Sequence, residues 1–393
     1  MATDPTPAEV GLELVFWCLL LIASYSYFIY PLILLFFRGV AASPYSAVEC
    51  LEAWPSVSLI IAAHNEEKQI AAKLDNALAQ DYPPEQLEII VVSDGSSDET
   101  DAIVASYADR GIKLMSTGDW LGKERAQLQA IGAAEGGILV FSDAGTQLAA
   151  DALRRIAAYF EDADIAAVSS EDRFLSSDGS VAGEGLYVSY EMGLRRLESE
   201  FGGLIGLSGS FFAARATVVD GQWDVDTTSD FNTAFACARR GRRAVTAPDV
   251  LGYYRDLSDS SAEYQRKVRT VIHGLAGLAR HREMLNTFRY GWFSFQLWSH
   301  KIARWVVPWA LIMLFAVNLT VYAEGWVYQF ALWGQTGFYA IALAAHLYRP
   351  LADNAIARIV YFFVLVNISI AEALLRYLSG QRMVRWKPSV REG

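Results

Sequence analysis

Residues 14–37 form a run of 24 without one charged side chain, and no other feature restricts the fold as much. Wound as a helix, the run extends roughly 36 Å, more than the hydrocarbon thickness of about 30 Å that a bilayer presents. It reads as a transmembrane helix within an N-terminal segment 1–40. A cleaved signal peptide is the competing reading, but Asp4, Glu9 and Glu13 precede the run with no Lys or Arg, and the run outlasts a signal-peptide core. Near the other end, residues 306–322, 326–347 and 359–375 are again apolar over about a membrane length, broken by Glu324 and by the Arg349 to Arg358 loop. The stretch 288–305 mixes Trp292, Trp298 and Trp305 with Arg289, Lys301 and Arg304, which suits a helix lying in the headgroup layer. The expected order after the middle of the chain is an interfacial helix at 288–305, transmembrane or re-entrant helices over 306–378, and a basic tail at 379–393.

Charge is divided unevenly. From Arg266 onward there are 15 basic and 5 acidic residues, against 18 and 39 before it. The net charge of −11 argues against a nucleic-acid partner, because binding polyphosphate needs a basic surface. Basic loops stay in the cytoplasm, so Arg38, the 349–358 loop and the tail with Arg382, Arg385 and Lys387 predict an external N-terminus and a cytoplasmic middle domain. Three full crossings after that domain would put the basic tail outside. Either one C-terminal segment is interfacial or re-entrant, or the charge rule fails. Cys18, Cys50 and Cys237 are scattered; they suggest neither a disulfide framework nor a zinc site, and read as buried thiols in a reducing compartment.

The middle, residues 55–275, alternates short β-rich runs with polar, Ala-rich helical stretches. The runs are 57–61, 87–92, 112–115, 138–141 and 165–168, a βαβ rhythm that predicts an α/β fold with a mostly parallel sheet. Such sheets bind ligands beyond the carboxyl ends of their strands, so the residues just after each run carry the interest. They are Ala62-Ala63-His64-Asn65-Glu66, Ser93-Asp94-Gly95-Ser96-Ser97-Asp98 and Ser142-Asp143-Ala144-Gly145, with Gly122-Lys123 opening a helix between the last two. Each alone has a plain reading: Asp94 and Asp143 as turn or cap residues, His64 to Glu66 as a strand-end loop, Lys123 as a solvated lysine.

In their order and spacing, these four motifs resemble the family 2 glycosyltransferases of GT-A, Rossmann-like fold, in the membrane-integrated branch of cellulose, hyaluronan and poly-N-acetylglucosamine synthases. The resemblance implies a donor site for a nucleotide sugar, with a UDP-sugar expected. Ala62, His64, Asn65, Glu66 and Asp94 would lie at the base and ribose, Lys123 at the diphosphate, and Asp143 at the ribose and a divalent cation, Mg²⁺ or Mn²⁺. The chain departs from the pattern at Gly145, where the family has a second acid.

The resemblance also implies a catalytic base at Asp230, in Asp226-Thr227-Thr228-Ser229-Asp230, although an Asp at a helix start is equally a common N-cap. Arg266 and Arg269, which the resemblance implies at the donor diphosphate, stand where processive members carry Gln-x-x-Arg-Trp, with Thr270 in place of the Trp that stacks on the acceptor sugar. That loss puts processive synthesis in doubt unless Tyr264, Trp223 or Tyr253 supplies a ring. Glu171, Asp172, Ser208 and Gly209 fall where the family lines its acceptor pocket. Three classes follow. The first is an inverting hexosyltransferase extending an exopolysaccharide or lipid-linked glycan at the cytoplasmic face of the inner membrane. The second adds a single sugar to a polyprenyl-linked acceptor. The third is a non-catalytic partner of a polysaccharide synthase. Sugar, linkage and oligomeric state are not legible.

Overall fold

The structure is a computed structural model that describes residues 7–47, 51, 53–175, 186–219, 221, 223–255, 260–352 and 354–381. Asp4, Cys50 and the basic tail with Arg382, Arg385 and Lys387 lie outside the described residues. The chain divides into two compact units, Met1–Phe37 with Ser260–Leu275 and Phe295–Gln381, and Arg38–Asp259 with Ala276–Ser294 and Arg382–Gly393.

The second unit is built on one eight-stranded sheet. Its strands are β1 (Val57–Ala63), β2 (Leu87–Ser93), β3 (Ile112–Ser116), β4 (Ile138–Asp143), β5 (Gln147–Leu148), β6 (Ile165–Leu175), β7 (Phe211–Arg215) and β8 (Arg243–Arg255). They lie in the order β3-β2-β1-β4-β7-β6-β8-β5. The pairs β3/β2, β2/β1, β1/β4 and β6/β8 are parallel; β7 runs antiparallel to both β4 and β6. All five β-rich runs of the sequence are strands of this sheet. Every residue of β1 is buried, as expected for a central strand covered on both faces, and burying each of Leu59, Ile60 and Ile61 contributes about 1.5–3 kcal/mol. In register, Ala62 of β1 lies opposite Val92 of β2 and Asp143 of β4. The pairing therefore brings the ends of three strands, and the motifs that follow them, to one edge of the sheet.

The first unit is helical. Among the described residues, three helical runs are long and apolar enough to cross a membrane: Val10–Ala41, Trp292–Glu324 and Ala355–Leu378. The helix Trp326–Leu347 has 22 residues but falls outside that set. Helical structure is continuous from Trp292 to Glu324, so no break separates the 288–305 stretch from the apolar residues after it; the turn comes earlier, at Gly291 with its φ of +52°. Two of the runs contain a π-helical turn, Tyr25–Ile29 and Leu297–Ile302, and Tyr25 Oη lies 2.8 Å from Ser299 Oγ between them. Cys237 is buried, as the sequence suggests, but Cys18 is exposed on the N-terminal helix, where an apolar surface needs no protein cover if lipid supplies it.

Candidate active site

Three loops meet at the carboxyl ends of β1, β2 and β3. After β1 the chain turns at Asn65, whose φ of +54° is a left-handed conformation that Asn tolerates better than most residues. Asn65 N–H donates to Ser96 Oγ (3.1 Å), and Asn65 Oδ1 accepts from Ser97 N–H (2.8 Å). Glu66 N–H donates to Thr100 Oγ1 and Glu67 N–H to Asp98 Oδ2. His64 Nδ1 donates to the Asp94 carbonyl oxygen (2.6 Å) while its ring stacks on Trp120 at 5.0 Å.

Asp94, expected at the base or ribose, lies at the end of β2 and braces the next loop. It is 1% exposed, and both carboxylate oxygens are occupied by backbone, Oδ1 accepting from Leu121 N–H and Oδ2 from Gly122 N–H, each at 2.8 Å. A turn leading into a helix leaves amides without helical partners, and Asp94 supplies them. The loop lies so close that a Cβ on Gly95, itself at φ +61°, would come within 2.5 Å of the Asp119–Trp120 backbone. Asp94 therefore sets the position of Gly122 (φ +102°) and of Lys123, the first residue of the helix Lys123–Ala133.

Lys123 is nearly buried. Its Nζ lies 2.5 Å from Asp143 Oδ1 and donates to the Gly209 carbonyl oxygen at 2.9 Å. Burial works against its ammonium, but the charge and hydrogen bond of Asp143, with smaller contributions from Glu124 and Asp230, outweigh it and hold the lysine above its ordinary pKa. Asp143 ends β4 and keeps about a quarter of its side-chain surface exposed. Its backbone is tied to Ser210 O and Thr146 N. Glu124, next in the helix, is pushed above the ordinary carboxylate range by burial, Lys123 opposing and Asp230 and Asp143 adding to the rise.

Asp230 is the second residue of the helix Ser229–Arg239, and the N-cap position belongs to Thr228. The plain cap reading of Asp230 is thus not what the structure shows. Its carboxylate is half-buried beside Gly206 and within electrostatic reach of Lys123 and Glu124. The loop before it is locked. Asn232 bonds the backbone of Asp224 and Thr227, and Asp224 Oδ2 pairs with Arg280 Nε (2.8 Å) and His281 Nε2 (3.0 Å).

The other expected residues divide between tasks. Ala62 is buried within β1. Glu171, 3% exposed, is spent on Arg173 (2.6 Å) and Arg196 (2.9 Å); Asp172 follows it in β6. Ser208 N–H donates to Ser169 Oγ, and Ser208 Oγ meets Ser210 Oγ at 2.9 Å. Arg266 and Arg269 lie in the part of the helix Ser260–Arg280 that belongs to the helical unit, where burial and then Arg266 lower the pKa of Arg269. Of the candidate substitute rings, Trp223 packs on Phe141 (5.4 Å) and donates to the Glu124 carbonyl, and Tyr264 donates to Glu372. Sequence reasoning passed over Lys73, Trp120 and Glu124. Lys73 had a signal, because it occupies the buried stripe of its helix with Ile70, Leu74 and Ala77.

Among the described residues no three His, Cys, Asp or Glu side chains gather to hold a metal. With Gly145 lacking a ligand, Asp143 is the one carboxylate at the end of β4. That donor set fits a cation bound mainly by a ligand's phosphates, the usual arrangement for Mg²⁺, and not an all-protein cage.

Residues 58–221 match the family model described as Glycosyl transferase family 2. A beta-monoglucosyldiacylglycerol synthase of Trichormus variabilis is 29% identical over 187 residues, 45% of this chain and 39% of that protein. A 4,4'-diaponeurosporenoate glycosyltransferase of Staphylococcus aureus is 35% identical over 91 residues, covering 23% of this chain and 24% of that one. The chain thus matches about two fifths of the length of the first of these relatives. Among solved structures, the mannosyltransferase PcManGT of Pyrobaculum calidifontis, in complex with GDP-Man and Mn²⁺, superposes with a TM-score of 0.74 at 22% identity, over 94% of this chain and 99% of that chain. This likeness is one of fold.

The lock on the Asp230 helix generates a pH dependence. Burial, then Arg239, lowers the pKa of His281 below its ordinary 6.5, with Asp224 and Glu283 opposing. The unfolded chain therefore takes up this proton first, so stability is present above about pH 6.5 and lost as pH falls toward the depressed folded value. The melting temperature of the purified protein should fall between pH 7.5 and 5.5, and His281→Gln should flatten that fall. An unchanged slope in the variant would contradict the assignment.

Proposed function

The chain carries a glycosyltransferase family 2 domain of GT-A fold, and from that premise we propose that it is an inverting glycosyltransferase moving a sugar from a nucleotide-sugar donor to a membrane-held lipid or lipid-linked glycan. The observation that carries this reading is the Lys123–Asp143 pair, with Asp230 in electrostatic reach, at the carboxyl ends of a parallel sheet. Three helical runs fit to cross a membrane favour an acceptor that lipid retains. The relative named for monoglucosyldiacylglycerol favours the same class of acceptor over a long secreted polymer, as does Thr270 in place of a stacking ring.

In this reading Lys123 turns from Asp143 toward the donor diphosphate, and Asp94 keeps Lys123 in place through the Leu121–Gly122 amides. Asp230 accepts the proton of the acceptor hydroxyl as its oxygen bonds to the anomeric carbon. The bond from that carbon to the diphosphate breaks on the opposite face, so the configuration inverts. A bound Mg²⁺ or Mn²⁺ would take Asp143 as its protein ligand and neutralise charge on the departing diphosphate. We assign residues 55–275 to the cytoplasmic side of the inner membrane. With three crossings, the helix Trp326–Leu347 not being one of them, the N-terminus is external and the basic tail returns inside, while the 349–358 loop is external and departs from the charge rule.

Incubating membranes that hold the protein with UDP- and GDP-sugars, and following nucleotide diphosphate release and lipid products, tests the reading. Asp230→Asn should lower turnover by about two orders of magnitude or more while nucleotide affinity survives; near-normal turnover would remove Asp230 as the base. Excess chelator should abolish transfer, and full activity in its presence would assign charge neutralisation to protein cations alone.

A further inference from the structure

Lys73 is 0% exposed. It sits mid-way along the helix Ile70–Leu78, on the stripe that Ile70, Leu74 and Ala77 bury, a position where an aliphatic residue would pack without cost. Its Nζ donates to Ser142 Oγ at 2.7 Å and to the Thr146 carbonyl oxygen at 2.5 Å. Among the described residues it forms no ion pair. A buried ammonium without a contacting carboxylate is expensive, because neutral acceptors replace only part of its hydration.

Holding the strand end does not by itself explain the charge. One helical turn on, Asn76 already pins the neighbouring segment with neutral groups, its Nδ2 donating to Leu148 O (2.9 Å) and its Oδ1 accepting from Leu148 N–H (2.8 Å). What distinguishes Lys73 is its place. Its two acceptors, Ser142 and Thr146, flank Asp143-Ala144-Gly145, so the ammonium lies against the turn that carries the one carboxylate at this strand end. Burial lowers its pKa to about 7, and the charge that opposes this is that of Asp143. Lys123 thus contacts Asp143 directly, while Lys73, whose protonation Asp143 favours, reaches the same turn through Ser142 and Thr146.

We propose that Lys73 is a positioning residue for the donor diphosphate, fixing the Asp143–Thr146 turn and supplying the counter-charge to Asp143 that releases Lys123 to the phosphates. The inference rests on the donor reading above and adds to it a residue that touches no ligand. It accounts for a costly charge at a packing position. A diphosphate arriving beside Asp143 adds negative charge and draws Lys123 away from a carboxylate that a bound Mg²⁺ or Mn²⁺ would share. Lys73 adds positive charge behind that turn as Lys123 leaves it.

The test uses the full chain in detergent with Mn²⁺ present, and calorimetric titration with UDP, GDP and dTDP and their monophosphates. Lys73→Met keeps length and shape and removes the charge. The expected result is a diphosphate affinity weaker by about tenfold, the usual scale for a lost charge-assisted interaction. The monophosphate should lose less, and the melting temperature should be unchanged or higher. An unaltered diphosphate affinity would overturn the inference and leave the donor reading standing. Equal losses for both ligands with a lower melting temperature would make Lys73 a packing residue and overturn it too. If Lys73→Met does not fold, Lys73→Gln, which still donates to neutral acceptors, is read in the same way; failure of both to fold makes Lys73 a folding residue and also overturns it. Should the unmodified protein bind none of the three diphosphates, the donor reading itself fails, and this inference with it.

Discussion

An ion pair between Lys123 and Asp143, largely out of water, is the interaction around which the rest of the sheet's carboxyl edge is arranged. Two residues far apart in the chain can meet at this distance only if strand register and helix start are both held closely. The register comes from β1, buried throughout and parallel to both β2 and β4. A shift of one residue would turn every side chain of that strand to the other face. The helix start comes from Asp94, which gives up its carboxylate to two backbone amides.

Acidic residues at this edge therefore fall into two groups. Asp94 and Glu171 are almost fully enclosed, and their oxygens are taken by amides or arginines. Asp143 and Asp230 keep some exposure. A carboxylate whose lone pairs are filled by the protein organises its surroundings, whereas one that remains open can meet a ligand. That division is the physical basis for giving the proposed chemistry to Asp143 and Asp230 and the support to Asp94.

Much of this was legible beforehand. The five β-rich runs became strands because parallel, doubly covered strands demand uninterrupted apolar stretches, which stand out in a sequence. The motifs after them converge because the topology leaves them no other edge. Burial of individual polar side chains was less legible. Nothing in Ser93-Asp94-Gly95 says that Asp94 turns toward backbone 27 residues later, and Glu171-Asp172-Arg173 does not disclose that Arg196 joins Arg173 on Glu171. Lys73 was hidden by its type, since a lysine on a helix is read as solvated unless its place on the apolar stripe is noticed. The stretch 288–305 has the aromatic and basic composition of an interfacial helix, and after the turn at Gly291 its helical structure continues from Trp292 to Glu324, because composition does not mark where a helix ends.

The central claim is that the Lys123–Asp143 pair opens to receive a nucleoside diphosphate. An experimental structure of the full chain with UDP or GDP and Mn²⁺ tests it most directly. The account predicts the β-phosphate within hydrogen-bonding distance of Lys123 Nζ, with the Lys123–Asp143 contact lengthened and Asp94 still bonded to the Leu121 and Gly122 amides. A nucleotide bound elsewhere, or bound with the Lys123–Asp143 contact unchanged, would contradict it.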